Sequence, residues 1–138
     1  MTIPMEYQHA SEAFEAFLAD AKEETGLTTR NQTYTTVQAV LYVFRRRLHI
    51  ADALRFADEL PPLLRAIFVE SWNIQEEKLP FADRESLARE VRSFRRDHNF
   101  SPDSAIADVA RALRKHVELA SFSRMLMSLP TEAQDFWK

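Results

Sequence analysis

The sequence predicts an all-α protein: two tandem four-helix repeats packed around a shared core with pseudo-two-fold symmetry. Three observations carry the prediction. Apolar residues recur at helical spacing along nearly the whole chain. Gly26 is the only glycine among 138 residues, so the usual turn residue of β-hairpins and of glycine-rich phosphate loops is missing. Residues 37–69 also align without a gap onto residues 106–138.

Each element follows from its own punctuation. A first helix is expected over 5–25, with Phe14, Leu18 and Ala21 on one stripe and Gly26 as a left-handed C-terminal cap. A stronger stripe of Val37, Val40, Leu41, Phe44 and Leu48 predicts a helix over 36–48, opened by Thr35 and Gln38 as a capping box. Helices over 51–59 and 61–72 complete the first repeat (5–72), and 73–82 reads as a linker. The second repeat (83–138) is read as helices over 84–98, 102–117, 120–128 and 130–137, with Asp83 and Ser101 as N-caps. Pro61, Pro102 and Pro130 are placed in first turns, where the missing N–H has no intrahelical acceptor to lose.

The repeat rests on chemistry as well as register. Val37, Val40, Phe44, Leu48, Ile50 and Ala51 fall on Ile106, Val109, Leu113, Val117, Leu119 and Ala120; Arg55, Leu60, Pro61, Ile67 and Phe68 fall on Arg124, Leu129, Pro130, Phe136 and Trp137. Upstream the offset becomes 73, setting Phe14, Leu18, Ala21 and Leu27 on Leu87, Val91, Phe94 and Phe100. Amphipathic helices resemble one another by period alone, but period does not reproduce the Leu-Pro punctuation. One unit alone has too little apolar surface to offset its chain entropy comfortably, so a single 1–138 domain with a common core is expected.

Composition excludes several function classes. With no Cys, the chain has no disulfide, thiolate metal site or thiol nucleophile, and it suits a reducing cytoplasm. The longest apolar stretch, Val37 to Phe44, is broken by Gln38, and no cationic start leads into an apolar run, so neither a membrane span nor an export signal is expected. The net charge of −3 is uneven: Glu6, Glu12, Glu15, Asp20, Glu23 and Glu24 face only Lys22 in the first 27 residues. A dedicated nucleic-acid binder is usually more basic, so nucleic acid is disfavoured.

The segment TTVQAVLYVFRRRLHIADALRFADELPPLLRAIFVESW resembles the bacterial domain-of-unknown-function family 2267. The resemblance is carried by a helix closing in Arg47-Leu48, an Ala-rich helix with Ala51, Ala53 and Ala57, then Leu60-Pro61, and an amphipathic helix with Leu63, Leu64, Phe68 and Trp72. The chain departs from the pattern at Val69, where a second ring often stands, and at Ser71, where glycine often precedes the Trp. The resemblance implies an all-α bacterial protein and carries no activity, substrate or catalytic residue with it.

Candidate chemistry is sparse. Glu6 and His9 form an ExxH pair at ligand spacing, but a di-iron bundle needs a second such pair, and His49, His98 and His116 have no Glu three residues before them. No GxSxG elbow supports a hydrolytic serine. No cofactor, metal or catalytic residue is therefore assigned. Two binding surfaces are. The helix over 36–48 is apolar on a second side, where Ala39, Tyr42 and Val43 lie opposite Phe44; their counterparts are Asp108, Arg111 and Ala112. That side is either buried or, together with Trp72, a patch for a protein partner or a second copy of the chain. Paired basic helix ends, Arg45, Arg46 and Arg47 against Arg114, Lys115 and His116, with the ridge Arg89, Arg92 and Arg96, supply an alternative anion or nucleic-acid site. Cations in a helix's last turn also offset its partial negative charge without any ligand. The expectation is a non-catalytic protein interaction module, with homodimerisation as one form and anion binding as the alternative.

Overall fold

A computed structural model describes residues 2–95 and 99–138, and among them there are nine α-helices and no strand. They are α1 (Met5–Gln8), α2 (Ala10–Thr25), α3 (Arg30–Arg45), α4 (Ile50–Asp58), α5 (Pro62–Val69), α6 (Arg84–Ser93), α7 (Ala105–Arg114), α8 (Leu119–Met127) and α9 (Thr131–Phe136). None is long and apolar enough to cross a membrane.

Several boundaries differ from the sequence reading for identifiable reasons. The first helix is broken at His9, whose φ of −107° and ψ of 19° leave the helical region. Gly26 ends α2 in the left-handed conformation at φ 72°, as its lack of Cβ predicts. The central helix starts six residues early. Its capping box is Thr29 and Gln32, with the Gln32 N–H donating to Thr29 Oγ1 at 3.1 Å and the Gln32 side chain reaching back to the Thr29 N–H at 3.3 Å. Thr35 is instead a buried residue within the helix. Glu70 leaves the helical region at ψ 131° and Ser71 follows at φ 51°, so α5 stops at Val69 rather than running to Trp72. At α6, Phe94 turns extended and the side chain of Asn99 donates to the carbonyls of Val91 and Phe94, closing the helix short of 98. Ser101 is not an N-cap; its buried hydroxyl lies 2.8 Å from Thr36 Oγ1, and α7 opens after Ser104 with Pro102 outside it. Asp83 does precede α6, but its carboxylate accepts from Ser86 Oγ rather than from a backbone amide. Pro61 and Pro130 stand one residue before their helices.

Helix α3 is central, packed against α2, α5, α6 and α7; α4 meets α5 and α8, and α8 meets α9. Residues of both halves enter one apolar cluster. Its middle is aromatic: Phe44 lies 4.8 Å from Phe56, 4.9 Å from Phe136 and 5.2 Å from Trp137 between ring centroids, and Phe56 stacks on Trp137 at 5.3 Å. The linker is pinned rather than loose, because the Leu79 N–H donates to the Arg46 carbonyl and Phe81 packs on Phe44 and Phe136. Helix bounds recur 69 residues apart at the end of α3 and α7, over all of α4 and α8, and at the start of α5 and α9. Upstream, the buried triplets Phe17, Leu18, Ala21 and Leu87, Ala88, Val91 are related by 70 residues rather than 73.

Phe56→Ala is expected to lower unfolding stability by about 3–5 kcal/mol, because a ring enclosed by Phe44, Phe68, Phe122 and Trp137 cannot be replaced by relaxation. Leu54→Ala, on the exposed side of the same helix, should stay within about 0.5 kcal/mol. Urea unfolding of both variants checks this, and equal losses would contradict the core.

Candidate binding cleft at the end of helix α3

The last turns of α3 present Tyr42, Arg45, Arg46 and Arg47, and the chain returns to them after α5. The left-handed Ser71 turns the chain so that Trp72 stands over Arg45. The Arg45 guanidinium lies 4.5 Å from the centroid of the Tyr42 ring and 5.3 Å from that of Trp72, a cation between two π faces. Its Nη1 donates to the carbonyls of Phe68 at 3.1 Å and Glu70 at 2.8 Å, satisfying orphan acceptors at the end of α5. Arg45 is only 8% exposed, and its buried Nε has no hydrogen-bond partner among the described residues. Burial pushes the Arg45 pKa down, since removing water penalises the charged form. Tyr42 donates its hydroxyl to Glu70 at 3.0 Å; burial and that acceptor both push its phenol up. Two adjoining cavities, of about 230 and 290 Å³, are both lined by Arg45, Arg46 and Glu76; Trp72 walls the smaller, Tyr42 and Phe94 the larger.

The neighbouring cations are engaged differently. Glu90 of α6 receives Arg47 through two bonds, at 2.9 and 2.7 Å, and Arg46 through one at 3.1 Å. Arg47 also donates to the carbonyls of Val43 and Pro80. Burial alone would raise the Glu90 pKa, but the Arg47 and Arg46 guanidiniums outweigh it and hold the carboxyl below its usual range. The basic end of α7 is matched by acids of α2: Arg111 and Lys115 reach Glu24 at 2.8 and 3.4 Å, and His116 Nε2 meets Asp20 at 2.5 Å. Arg111's hydrogen bond is the main reason Glu24 is held below its ordinary pKa, against the opposing effect of burial. Acids from the start of the chain thus meet Arg111, Lys115 and His116.

Ala39 and Val43 are enclosed, so the second apolar side of the central helix is buried and these two residues present no patch. Asp108 and Ala112, the residues aligned with them, are buried too, Asp108 accepting from Ser104 and Arg111, so these positions do not differ on a free surface. Tyr42 and Trp72 remain half-buried and come together around Arg45. Of the anion candidates, Arg46 and Lys115 are ion-paired, Arg92 bonds Asp103, and Arg114 is half-buried with its pKa lowered by desolvation. Arg96 and His98 lie outside the described residues. Helix α1 ends before His9, so Glu6 and His9 do not share one helix, and His9 faces Glu12 instead. No group of three or more His, Cys, Asp or Glu among the described residues is placed to hold a metal. Sequence reading missed Glu70, Glu76 and Glu90; Glu90, set between Arg89 and Arg92, was hidden in what reads as a basic ridge.

The family described as "Uncharacterized conserved protein (DUF2267)" matches residues 14–136. The chain belongs to the DUF2267 family. No curated protein matches it. The DUF2267 match covers α3 to α5 and the cleft, including both positions at which the chain departs from the expected pattern. The φ of 51° at Ser71 gives the physical reason for glycine at this point: a Cβ disfavours the left-handed region.

Because the Glu90 pKa is lowered by folding, its contribution is present above the unfolded carboxyl pKa of about 4.3 and is lost as pH falls through the lower folded value. Glu90→Gln is therefore expected to lose about 1.5–3 kcal/mol at pH 7, leaving the 5%-exposed Arg47 side chain without its counter-ion. The deficit relative to wild type should shrink as the pH drops below about 4. Urea unfolding across pH checks both, and a deficit independent of pH would contradict the pairing.

Proposed function

We propose that this protein is a non-catalytic binding module whose recognition surface is the cleft formed by Tyr42, Arg45 and Trp72. The observation that carries this reading is Arg45: a buried guanidinium held by two rings and two carbonyls, not by a carboxylate, beside two open cavities. Rigid aromatic residues beside an arginine are the composition of interface anchors. The occupant is a protein partner, a second copy of the chain being one form. The alternative, a nucleic-acid surface made of paired basic ends, loses support because Arg46, Arg47, Arg111 and Lys115 already face Glu90 or Glu24. Backbone phosphates would have to displace those carboxylates.

We also infer that the two halves are tandem four-helix repeats related by a pseudo-two-fold axis. Support comes from the recurrence of helix bounds at 69 residues and from two pairs of contacts. Arg65 donates to the Leu60 carbonyl and Gln134 to the Leu129 carbonyl, and each of these residues is 69 positions from its counterpart. Arg47 with Glu90 and His116 with Asp20 each join the end of a repeat's second helix to the first helix of the other repeat. A crystal structure in which 37–69 and 106–138 do not superimpose would overturn the inference.

The cleft reading is tested by placing a photo-crosslinking residue at position 72 in the full-length chain within producing cells, with position 132 on α9 as the control. A discrete adduct from position 72, lost with Arg45→Gln in a variant whose circular dichroism is unchanged, is the expected result. Adducts equal at both positions, or none, would sink the reading.

A further inference from the structure

We propose that a second groove, where α1 and α2 meet the α4–α5 and α7–α8 turns, docks a basic segment of a partner protein; this goes beyond the Arg45 cleft and does not depend on it. The groove holds a cavity of about 310 Å³ with an apolar floor of Ala13, Leu60, Pro61, Pro62 and Val117. Apolar surface continues past it. Tyr7 and Leu119, next in the chain to the lining residues Glu6 and Glu118, are exposed at 48% and 55%, so the surface to be covered is larger than a small ion needs.

The charge of the groove is one-sided. Four carboxylates line it, Glu6, Asp58, Glu59 and Glu118, and none of them is ion-paired among the described residues. Against them stands Arg65, whose Nε and Nη2 are engaged by the carbonyls of Ala57 at 3.1 Å and Leu60 at 3.0 Å. The lining imidazoles face acids of α2, His9 meeting Glu12 and His116 meeting Asp20. This differs from Glu90 and Glu24, each of which is answered by cations of the chain itself.

Two of these acids stand where local structure disfavours them. Asp58 is the last residue of α4 and Glu59 its C-cap, beside the partial negative charge of the helix end, and Arg55 of the same turn is bonded to Asp52 instead. The fold does not require acids there: at the same turn of α8, 69 residues on, stand Met127 and Ser128. Nor do the acids converge, since no three His, Asp or Glu among the described residues are placed to hold a metal. Carboxylates spread around an apolar floor complement a chain that presents separated cations with an apolar side chain between them, such as lysines flanking a leucine.

The test is a titration of the full chain followed by ¹H–¹⁵N chemical shifts of the Ala13, Leu60 and Val117 amides. The probes are an acetylated, amidated pentapeptide alternating lysine and leucine, the same peptide with glutamate in place of lysine, and spermidine. Saturable shifts at the three amides are expected with the lysine peptide, and at least about tenfold weaker binding with the other two. Glu6→Gln combined with Asp58→Asn, both at exposed positions, should weaken the lysine peptide about tenfold while leaving the urea midpoint of the free chain unchanged or higher. A lower midpoint would mean that the acids serve the fold, and the inference falls. It falls as well if spermidine or the glutamate peptide binds as tightly as the lysine peptide, if the double variant binds it undiminished, or if no saturable shift is seen. Crosslinking from position 72 is unaffected by any of these outcomes, so the cleft reading stands or falls separately.

Discussion

Helix α3 keeps only the strip of Asn31, Tyr34, Gln38 and Tyr42 toward water. Val37, Val40, Leu41 and Phe44 face one way and Ala39 and Val43 another, and all are buried. A helix buried on most of its sides is stable only when neighbours enclose it, and α3 draws those neighbours from both halves of the chain. The second half therefore has to wrap the first, which is why α6 and α7 both pack on α3 and why Phe136 and Trp137, near the other end of the chain, lie against Phe44. Trp137 is fully buried with its indole N–H unpartnered among the described residues, so packing at this point outweighs a lost hydrogen bond.

Enclosing α3 creates an electrostatic problem at its end, where three consecutive arginines leave the helix next to the core. Arg46 and Arg47 share one carboxylate, Glu90, supplied by the opposite half. At the corresponding end of α7 the balance comes from Asp20 and Glu24. The excess acid of the first 27 residues and the excess base of the remainder thus meet within the molecule. Arg45 is held by carbonyls and rings rather than by an ion pair, with the Glu76 and Glu70 carboxylates acting on it only through space.

Local signals in the sequence were strong where chemistry leaves one solution. Gly26 had to be a left-handed cap, and Leu60-Pro61 and Leu129-Pro130 had to separate helices. They misled where polar residues serve a buried helix. The run from Arg30 to Thr36 has no apolar stripe, yet Thr33 and Thr36 are fully buried: Thr33 donates back to the Thr29 carbonyl, and Thr36 pairs with Ser101. A hydroxyl satisfied in this way packs like an apolar side chain, and hydrophobic periodicity does not register it. For the same reason Asp108 reads as a surface residue and is not one.

The all-helical class, the position of the apolar stripes and the family were determined by sequence alone, because each depends on residues close together along the chain. Tertiary structure decided which side of α3 was covered, which carboxylate answered each arginine, and that Tyr42 and Trp72 converge on Arg45. Those outcomes depend on groups tens of residues apart, such as Glu90 and Arg47, whose meeting follows from how whole helices pack and not from any local preference.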